Sequence, residues 1–209
     1  MTIKALFQPT KSRQFIVFNL VIGSIFLFQC TLTTQKIAKQ TDIIQPNILL
    51  FYADDLGWMD LAIQGSTYYE TPNIDRIAKE GMRFTNAYAN AANCAPSRAC
   101  LMTGLYPPRH GIYTVGNAAR GKAKNRKITP VINKTVLDTS LLTLPAFLQN
   151  NGYQTAIAGK WHLSEDPIPY GFDANFGGFK AGHPKSYFSP YKNPNLTDGP
   201  EGEYRFFHG

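Results

Sequence analysis

Charged residues are scarce in this chain. They make up 17% of its 209 residues, against 44% that are hydrophobic, which excludes a disordered polyelectrolyte. Three cysteines are too few to build a disulfide-held mini-protein. Seventeen glycines and 14 prolines exclude a collagen-like or low-complexity chain. No internal repeat is visible, and the length suits one domain with a real core. Acidic residues are missing from one place in particular. Residues 1–40 carry Lys4, Lys11, Arg13, Lys36 and Lys39 with no Asp or Glu, which leaves 16 basic against 14 acidic residues in the rest. The net charge of +7 is therefore mostly a property of the N-terminus.

Lys11 and Arg13 precede the apolar run Phe15 to Phe28. Fourteen residues are too short to span a bilayer as a helix, but they suit the apolar core of a secretory signal. Residues 1–30 are accordingly expected to be a signal peptide, and the protein to be exported to a periplasm or outer surface. Cys30 directly after the run resembles the acylated cysteine of bacterial lipoprotein signals, although Gln29 replaces the small residue expected before it. Residues 31–45, rich in Thr, Gln and Lys, read as a flexible linker.

Residues 46–209 form the body. The run 47–53 reads as a strand buried on both faces, ending at Asp54-Asp55-Leu56-Gly57. Thr71 to Gly81 has a cap, a first-turn proline and a closing glycine, which predicts a helix. Arg83 to Ala89 alternates as a strand, Leu144 to Asn150 reads as a helix, and Tyr153 to Ala158 as a strand. Such alternation predicts an α/β fold with a mostly parallel sheet. From Pro167 onward, glycine, proline and aromatics predict long loops.

Two features carry chemistry. Asp54 and Asp55 stand at the carboxyl end of a predicted strand, where ligands collect in open α/β sheets. Two carboxylates about 5 Å apart repel by roughly 3 kcal/mol at an effective dielectric near 20, and a divalent cation reverses that sign. Oxygen ligands select Ca²⁺ or Mg²⁺. Both carboxylates reach one ion only if the strand breaks at Asp54, and the following Leu56-Gly57 permits the break. A simple turn pair is the alternative. The second feature is Cys94 to Gly104, a helix by its Pro96 and its closing glycine. Cys94 stands at the N-terminus of that helix, where free backbone N–H groups favour an anion. Arg98, one turn on, adds a charge that pairs with sulfate or phosphate oxygens. A thiolate prefers soft metals, so beside a hard-cation site the cysteine is not expected to act as a cysteine. A Cys94–Cys100 disulfide, or two inert thiols, is the alternative.

Cys94-x-Pro96-Ser97-Arg98 with Thr103-Gly104 resembles the signature of type I sulfatases, arylsulfatase-like enzymes. Asp54-Asp55-Leu56-Gly57, Glu70 to Asp75, Gly159-Lys160-Trp161-His162-Leu163, Tyr170 to Asp173 and Phe176-Gly177-Gly178 follow the family's order. The resemblance covers residues 46–209. It implies the alkaline-phosphatase-like α/β/α sandwich, incomplete in this chain, and hydrolysis of a sulfated carbohydrate or aryl sulfate. It implies that a maturation enzyme oxidises Cys94 to Cα-formylglycine, which then acts as nucleophile and metal ligand. Asp54 and Asp55 become ligands of Ca²⁺, with Mg²⁺ less favoured. Arg98 holds the hydrated aldehyde, and Lys160 and His162 contact it and the sulfate. One hydroxyl of the gem-diol attacks sulfur, and the second expels sulfate and restores the aldehyde.

Relatives in this family are longer, and further ligands, a histidine and a lysine are expected beyond this stretch. The isolated chain is therefore expected to be the N-terminal part of the catalytic domain, poorly folded and nearly inactive alone. Other readings are a phosphate or phosphonate ester hydrolase on the same fold, and an inactive remnant. A basic stretch, Arg120, Lys122, Lys124, Arg126, Lys127 and Lys134, reads as a solvated loop or as a rim that steers anionic substrate. It has no interleaved aromatics, so nucleic acid is not expected as a partner. His110 is expected to be a loop histidine capped by backbone, and His183 a residue that could line the substrate pocket. Asn133-Lys134-Thr135 and Asn195-Leu196-Thr197 are sequons expected to mean little in an exported bacterial protein.

Overall fold

The computed structural model describes residues 45–204. The expectations for residues 1–30, for Cys30 and for nearly all of the 31–45 linker lie outside them. Among the described residues, no helix is long and apolar enough to cross a membrane.

Four helices and two strands carry the architecture: α1 (Pro72–Glu80), α2 (Cys94–Thr103), α3 (Pro107–His110), α4 (Leu144–Asn150), β1 (Ala156–Ala158) and β2 (Ala174–Phe176). The predicted helices are present with nearly their predicted limits, because each has its punctuation. Pro145 opens α4, and the Thr143 hydroxyl caps it by accepting from the Ala146 N–H at 3.3 Å. Gly104 ends α2 in the left-handed region at φ 67°. Thr71 does not cap α1. Its hydroxyl instead donates to Asp75 at 2.9 Å and accepts from the Ala62 N–H at 2.9 Å, which latches a short turn onto the helix.

The strands are shorter and fewer than predicted. β1 and β2 pair in parallel with Ala156 opposite Ala174 and Ala158 opposite Phe176, so the parallel character holds. The 153–158 strand shrinks to three residues. Its start is taken over by Thr155, whose N–H and hydroxyl bind Asp173 and Gly171 rather than a ladder. The segments 47–53 and 83–89 are not strands. Ile48, Leu49, Leu50, Phe51 and Phe84 are exposed instead of buried on two faces. A strand is completed by the neighbour that takes its N–H and C=O groups, and no such neighbour lies among the described residues.

The core sits where α2, β1 and the segment after β1 converge. It comprises Ala95, Ala99, Ile112, Leu137, Trp161, Leu163, Tyr170 and Phe172. Trp161 is its centre, 5.2 Å from the Tyr170 ring and edge-on to Phe172 at 5.8 Å. Its indole N–H donates to Ser164 Oγ at 2.7 Å, so burial leaves no polar group unpaired there. The Leu137 N–H reaches the Leu163 carbonyl at 2.9 Å, and the Tyr170 hydroxyl donates to the Leu137 carbonyl at 2.7 Å. Gly171, at φ 93°, lies so close to α4 that an added Cβ would fall 2.4 Å from the Ala146 backbone. That contact fixes the turn between Tyr170 and β2.

Candidate functional site

Burying Trp161 aims its two neighbours the other way. Gly159 follows β1 at φ 97° and continues the pairing through its N–H to the Phe176 carbonyl at 2.9 Å. Lys160 and His162 then leave the carboxyl end of β1 on the face away from the core. His162 has φ 66°, an unfavourable conformation for a residue with a Cβ. The backbone holds it there through its N–H to the Phe179 carbonyl at 2.9 Å.

Lys160 meets Asp54, and Arg98 joins them from α2. The Lys160 ammonium donates to Asp54 Oδ2, and Arg98 Nη2 donates to Asp54 Oδ1 at 3.3 Å. Arg98 Nη1 also donates to the Lys160 backbone carbonyl at 2.6 Å, and the guanidinium lies 4.9 Å from the Tyr52 ring centre. The Tyr52 hydroxyl in turn lies 2.5 Å from Ser97 Oγ. Arg98 is buried at 7% exposure, so this is a desolvated cluster rather than a surface pair. Burial alone would raise the Asp54 carboxyl, but Lys160 and Arg98 beside it outweigh that and hold it below the usual carboxylate range. Burial pushes the His162 imidazole down, and the charges of Lys160 and Arg98 push it further. His162 Nδ1 is buried without a hydrogen-bond partner.

Asp55 and Cys94 complete the cluster. Ligand atoms of Asp54, Asp55 and Cys94 all lie within 4.8 Å of one another. The chain break that brings both carboxylates to one side is real, but it is made by Asp55 itself, at φ 55°, and not by Gly57. Gly57 has a different reason: an added Cβ would lie 2.9 Å from the Asp60 carboxylate, which accepts the Gly57 N–H at 2.7 Å. Two carboxylates and one further position within that span fit a hard divalent cation in donor type. Asp55 is exposed and its Oδ1 lies 3.9 Å from the Cys94 sulfur, so its oxygens are open to a ligand. Cys94 and Cys100 are both free, which removes the disulfide alternative. Cys94 is the first residue of α2, as predicted.

Asp54, Asp55, Cys94, Lys160 and His162 all line one cavity of about 520 Å³, which Phe179, Gly182, His183 and Tyr187 also line. All the predicted site residues converge there, with Arg98 behind Asp54. His183 lines the wall as anticipated, and its Nδ1 lies 3.0 Å from the Pro184 carbonyl. His110 does not face the cavity. It is buried, accepts the Ile112 N–H at Nδ1 at 3.1 Å, and lies 3.4 Å from Cys100 Sγ through Nε2. The sequon residue Asn133 is used structurally. Its Oδ1 accepts the Tyr113 and Thr114 N–H groups at 2.6 and 3.1 Å, and its Nδ2 donates to the Thr114 and Gly116 carbonyls at 3.0 and 2.6 Å.

Sequence reasoning missed Tyr52 and Gly182. Tyr52 lies two residues before Asp54, and the Arg98 guanidinium meets both; a polar aromatic near the end of an apolar run was the available signal. Gly182 packs on the imidazole of His162, where an added Cβ would lie 2.7 Å from Cε1. Only tertiary structure brings those two residues together.

The sulfatase family model matches residues 46–204. The chain is 42% identical over 158 residues to human N-acetylgalactosamine-6-sulfatase, covering 72% of this chain and 28% of that one. The crystal structure of Ps i-CgsB in complex with k-i-k-neocarrahexaose is similar at a TM-score of 0.51 and 35% identity, over 65% of this chain and 28% of that one. The phosphonate monoester hydrolase of Agrobacterium radiobacter is similar at a TM-score of 0.51 and 26% identity, over 70% of this chain and 28% of that one. The chain thus spans a little over a quarter of the length of these relatives.

Proposed function

The chain belongs to the sulfatase family, and on that premise we propose that it supplies the nucleophile and part of the cation site of an enzyme that hydrolyses sulfate esters of sulfated sugars or aryl alcohols. The observation that carries this reading is the convergence of Asp54, Asp55, Cys94, Lys160 and His162 on one cavity from three separate stretches of chain. The fold is a partial α/β arrangement of the alkaline-phosphatase-like kind, with its short parallel pair placing Lys160 and His162 at strand ends. Asp54, Asp55 and position 94 would hold the cation, Ca²⁺ in preference to Mg²⁺. The remaining ligands of its usual six to eight would come from water or from residues outside this stretch. When bound, the cation supplies charge neutralisation at the sulfate oxygens. Position 94, oxidised by a maturation enzyme to Cα-formylglycine and hydrated, supplies a nucleophilic hydroxyl that a thiol cannot.

The chain's own residues set up that reaction. The N-terminus of α2 directs backbone N–H groups toward an anion at position 94. Lys160 carries a positive charge into the cavity wall, where it stabilises negative charge on sulfate oxygens. Arg98 fixes Asp54 and, through the Lys160 carbonyl, the backbone that aims Lys160. His162, held neutral by burial and its cationic neighbours, is suited to take a proton from a hydroxyl at position 94. The N-terminal segment fits export, with Cys30 as a site for a lipid anchor.

The test is mass spectrometry of the peptide containing Cys94 after expression with a formylglycine-generating enzyme, together with aryl sulfate turnover by the full-length protein. An aldehyde at position 94, and activity lost in Cys94→Ala, is the expected result. Undiminished turnover by Cys94→Ala would refute the reading. A phosphate or phosphonate monoester hydrolase is the second reading, favoured by the likeness to the Agrobacterium radiobacter enzyme. Turnover of matched aryl sulfate, phosphate and phosphonate esters separates the two.

A further inference from the structure

We propose that the loop 117–132 is a second anion subsite, so that the substrate is a polyanionic sugar chain and not a small molecule bearing one sulfate. This rests on the sulfatase reading above and adds to it what the enzyme holds beyond the ester being cleaved. The loop carries Arg120, Lys122, Lys124, Arg126 and Lys127 within eight positions and no acidic residue. All but the half-buried Arg126 are exposed. Among the described residues none of the five pairs with a carboxylate, whereas Lys134 just beyond them lies 3.9 Å from Asp138. Five unneutralised cations repel one another, and an anionic ligand is what relieves that repulsion.

Position separates this loop from an ordinary solvated charge run. Its two ends are clamped together by the four hydrogen bonds of Asn133 to residues 113–116. Its first cation is fixed at the cavity: Arg120 Nη2 donates to the carbonyl of Val115, a cavity-lining residue, at 3.2 Å, and to Thr114 Oγ1 at 3.3 Å. The same Thr114 hydroxyl accepts from Asn93 Nδ2 at 3.0 Å, and Asn93 immediately precedes Cys94. The loop is therefore tied at its base to the residue next to position 94, and its Lys122, Lys124 and Lys127 are exposed. At physiological salt, screening sets in at roughly 8 Å. Direct contact with neighbouring anionic groups of one long substrate is therefore the effective mode. Residues 117–132 contain no aromatic, so a single-stranded nucleic acid would find nothing to stack on. Ile128 and Ile132 are exposed and give an anionic membrane a second grip, so vesicles belong in the test.

The probe is dextran sulfate, with uncharged dextran and phosphatidylglycerol vesicles alongside. Full-length wild type is compared with Lys122→Gln/Lys124→Gln/Arg126→Gln/Lys127→Gln, which spares the anchoring Arg120. A control, Arg76→Gln/Lys79→Gln, removes charge from α1. Dextran sulfate binding is expected to weaken by roughly 10-fold or more in the loop variant and to change little in the control. Turnover is expected to follow: kcat/KM for a polysulfated oligosaccharide falls by roughly 10-fold, and that for a monosulfated aryl ester by less than about 2-fold. Near-UV circular dichroism checks that the loop variant stays folded. Unchanged dextran sulfate binding, equal losses on both substrates, or a loss confined to vesicles would each overturn the proposal. If wild type cleaves no sulfate ester yet the loop variant alone loses dextran sulfate, the sulfatase reading fails and the anion subsite stands.

Discussion

Residues 51–92 and residues 94–193 are built from similar side chains and end in opposite surroundings. In the second region Trp161, Ile112, Leu137, Leu163 and Tyr191 are at or below 1% exposure. In the first, Phe84 is 72% exposed and Tyr88 83%, and α1 buries none of its residues despite an amphipathic pattern. The second region builds a buried cluster around Trp161 while still exposing side chains such as Ile128, Ile132 and Phe147, whereas the first buries none of its large apolar side chains. The difference teaches that an apolar pattern states a demand for a partner without supplying one. The proposed active site lies across the seam. Tyr52, Asp54 and Asp55 come from the first region, and Cys94, Arg98, Lys160 and His162 from the second.

Stability should break along the same seam. Trp161→Ala removes a fully buried side chain and should cost about 4 kcal/mol. Gly171→Ala should cost a similar amount, because its Cβ would overlap the Ala146 backbone at a positive φ. By contrast Ile77→Ala and Phe84→Ala, both at exposed positions, should each stay within about 0.5 kcal/mol. Denaturant melts of the four variants decide the matter. Equal losses at Phe84 and Trp161 would mean that the first region is packed in solution.

Arg98 tests the seam itself. Arg98→Gln leaves Asp54 half-buried beside Lys160 alone and removes a donor to the Lys160 carbonyl. Turnover should fall by roughly 100-fold with the fold intact. Arg98→Lys restores charge without the fork that spans Asp54 and Lys160, and should recover only part of it. Full recovery by lysine would show that charge alone matters at this position.

How much of this was legible in the sequence follows the same division. Helices were readable because Thr143, Pro145 and Gly104 act on their own neighbours, within a turn of the chain. Strands were less so. The 47–53 run has the composition of a buried strand, but pairing depends on residues far away, and composition carries no information on where they are. The candidate site was legible where chemistry is local, as in Asp54-Asp55 or Cys94 with Arg98. Family resemblance, not spacing, put Asp54 and Lys160 in one site, and their direct contact across 106 positions was not anticipated by either. Tyr52, Gly182 and the clamp at Asn133 show their roles only once distant segments meet.

Gly182 offers a smaller, site-confined probe. Gly182→Ala places a Cβ against the His162 ring and must displace it. Because the neighbour is the end of one side chain and not backbone, the fold should tolerate the change within about 1 kcal/mol. Turnover should drop by roughly 10-fold as the imidazole is re-aimed. Unchanged kcat/KM in Gly182→Ala would remove His162 from the reacting groups.

The smallest effect distinguishes the two regions by pH. His110 is buried in the second region and faces Cys100 and the Ile112 amide, with no carboxylate bonded to it. Burial pushes its imidazole below the usual value of 6.5. The unfolded chain therefore takes up a proton first as pH falls, and the folded state binds fewer protons throughout that window. Stability from this residue is complete above about pH 6.5 and is lost progressively as pH falls through the depressed folded value. His110→Asn keeps an acceptor for the Ile112 N–H but cannot titrate, so its melting temperature should lie nearer to wild type at pH 5.5 than at pH 7.5. A difference between the two proteins that stays constant with pH would mean that His110 is hydrated in solution and that the second region is less dry than its packing implies.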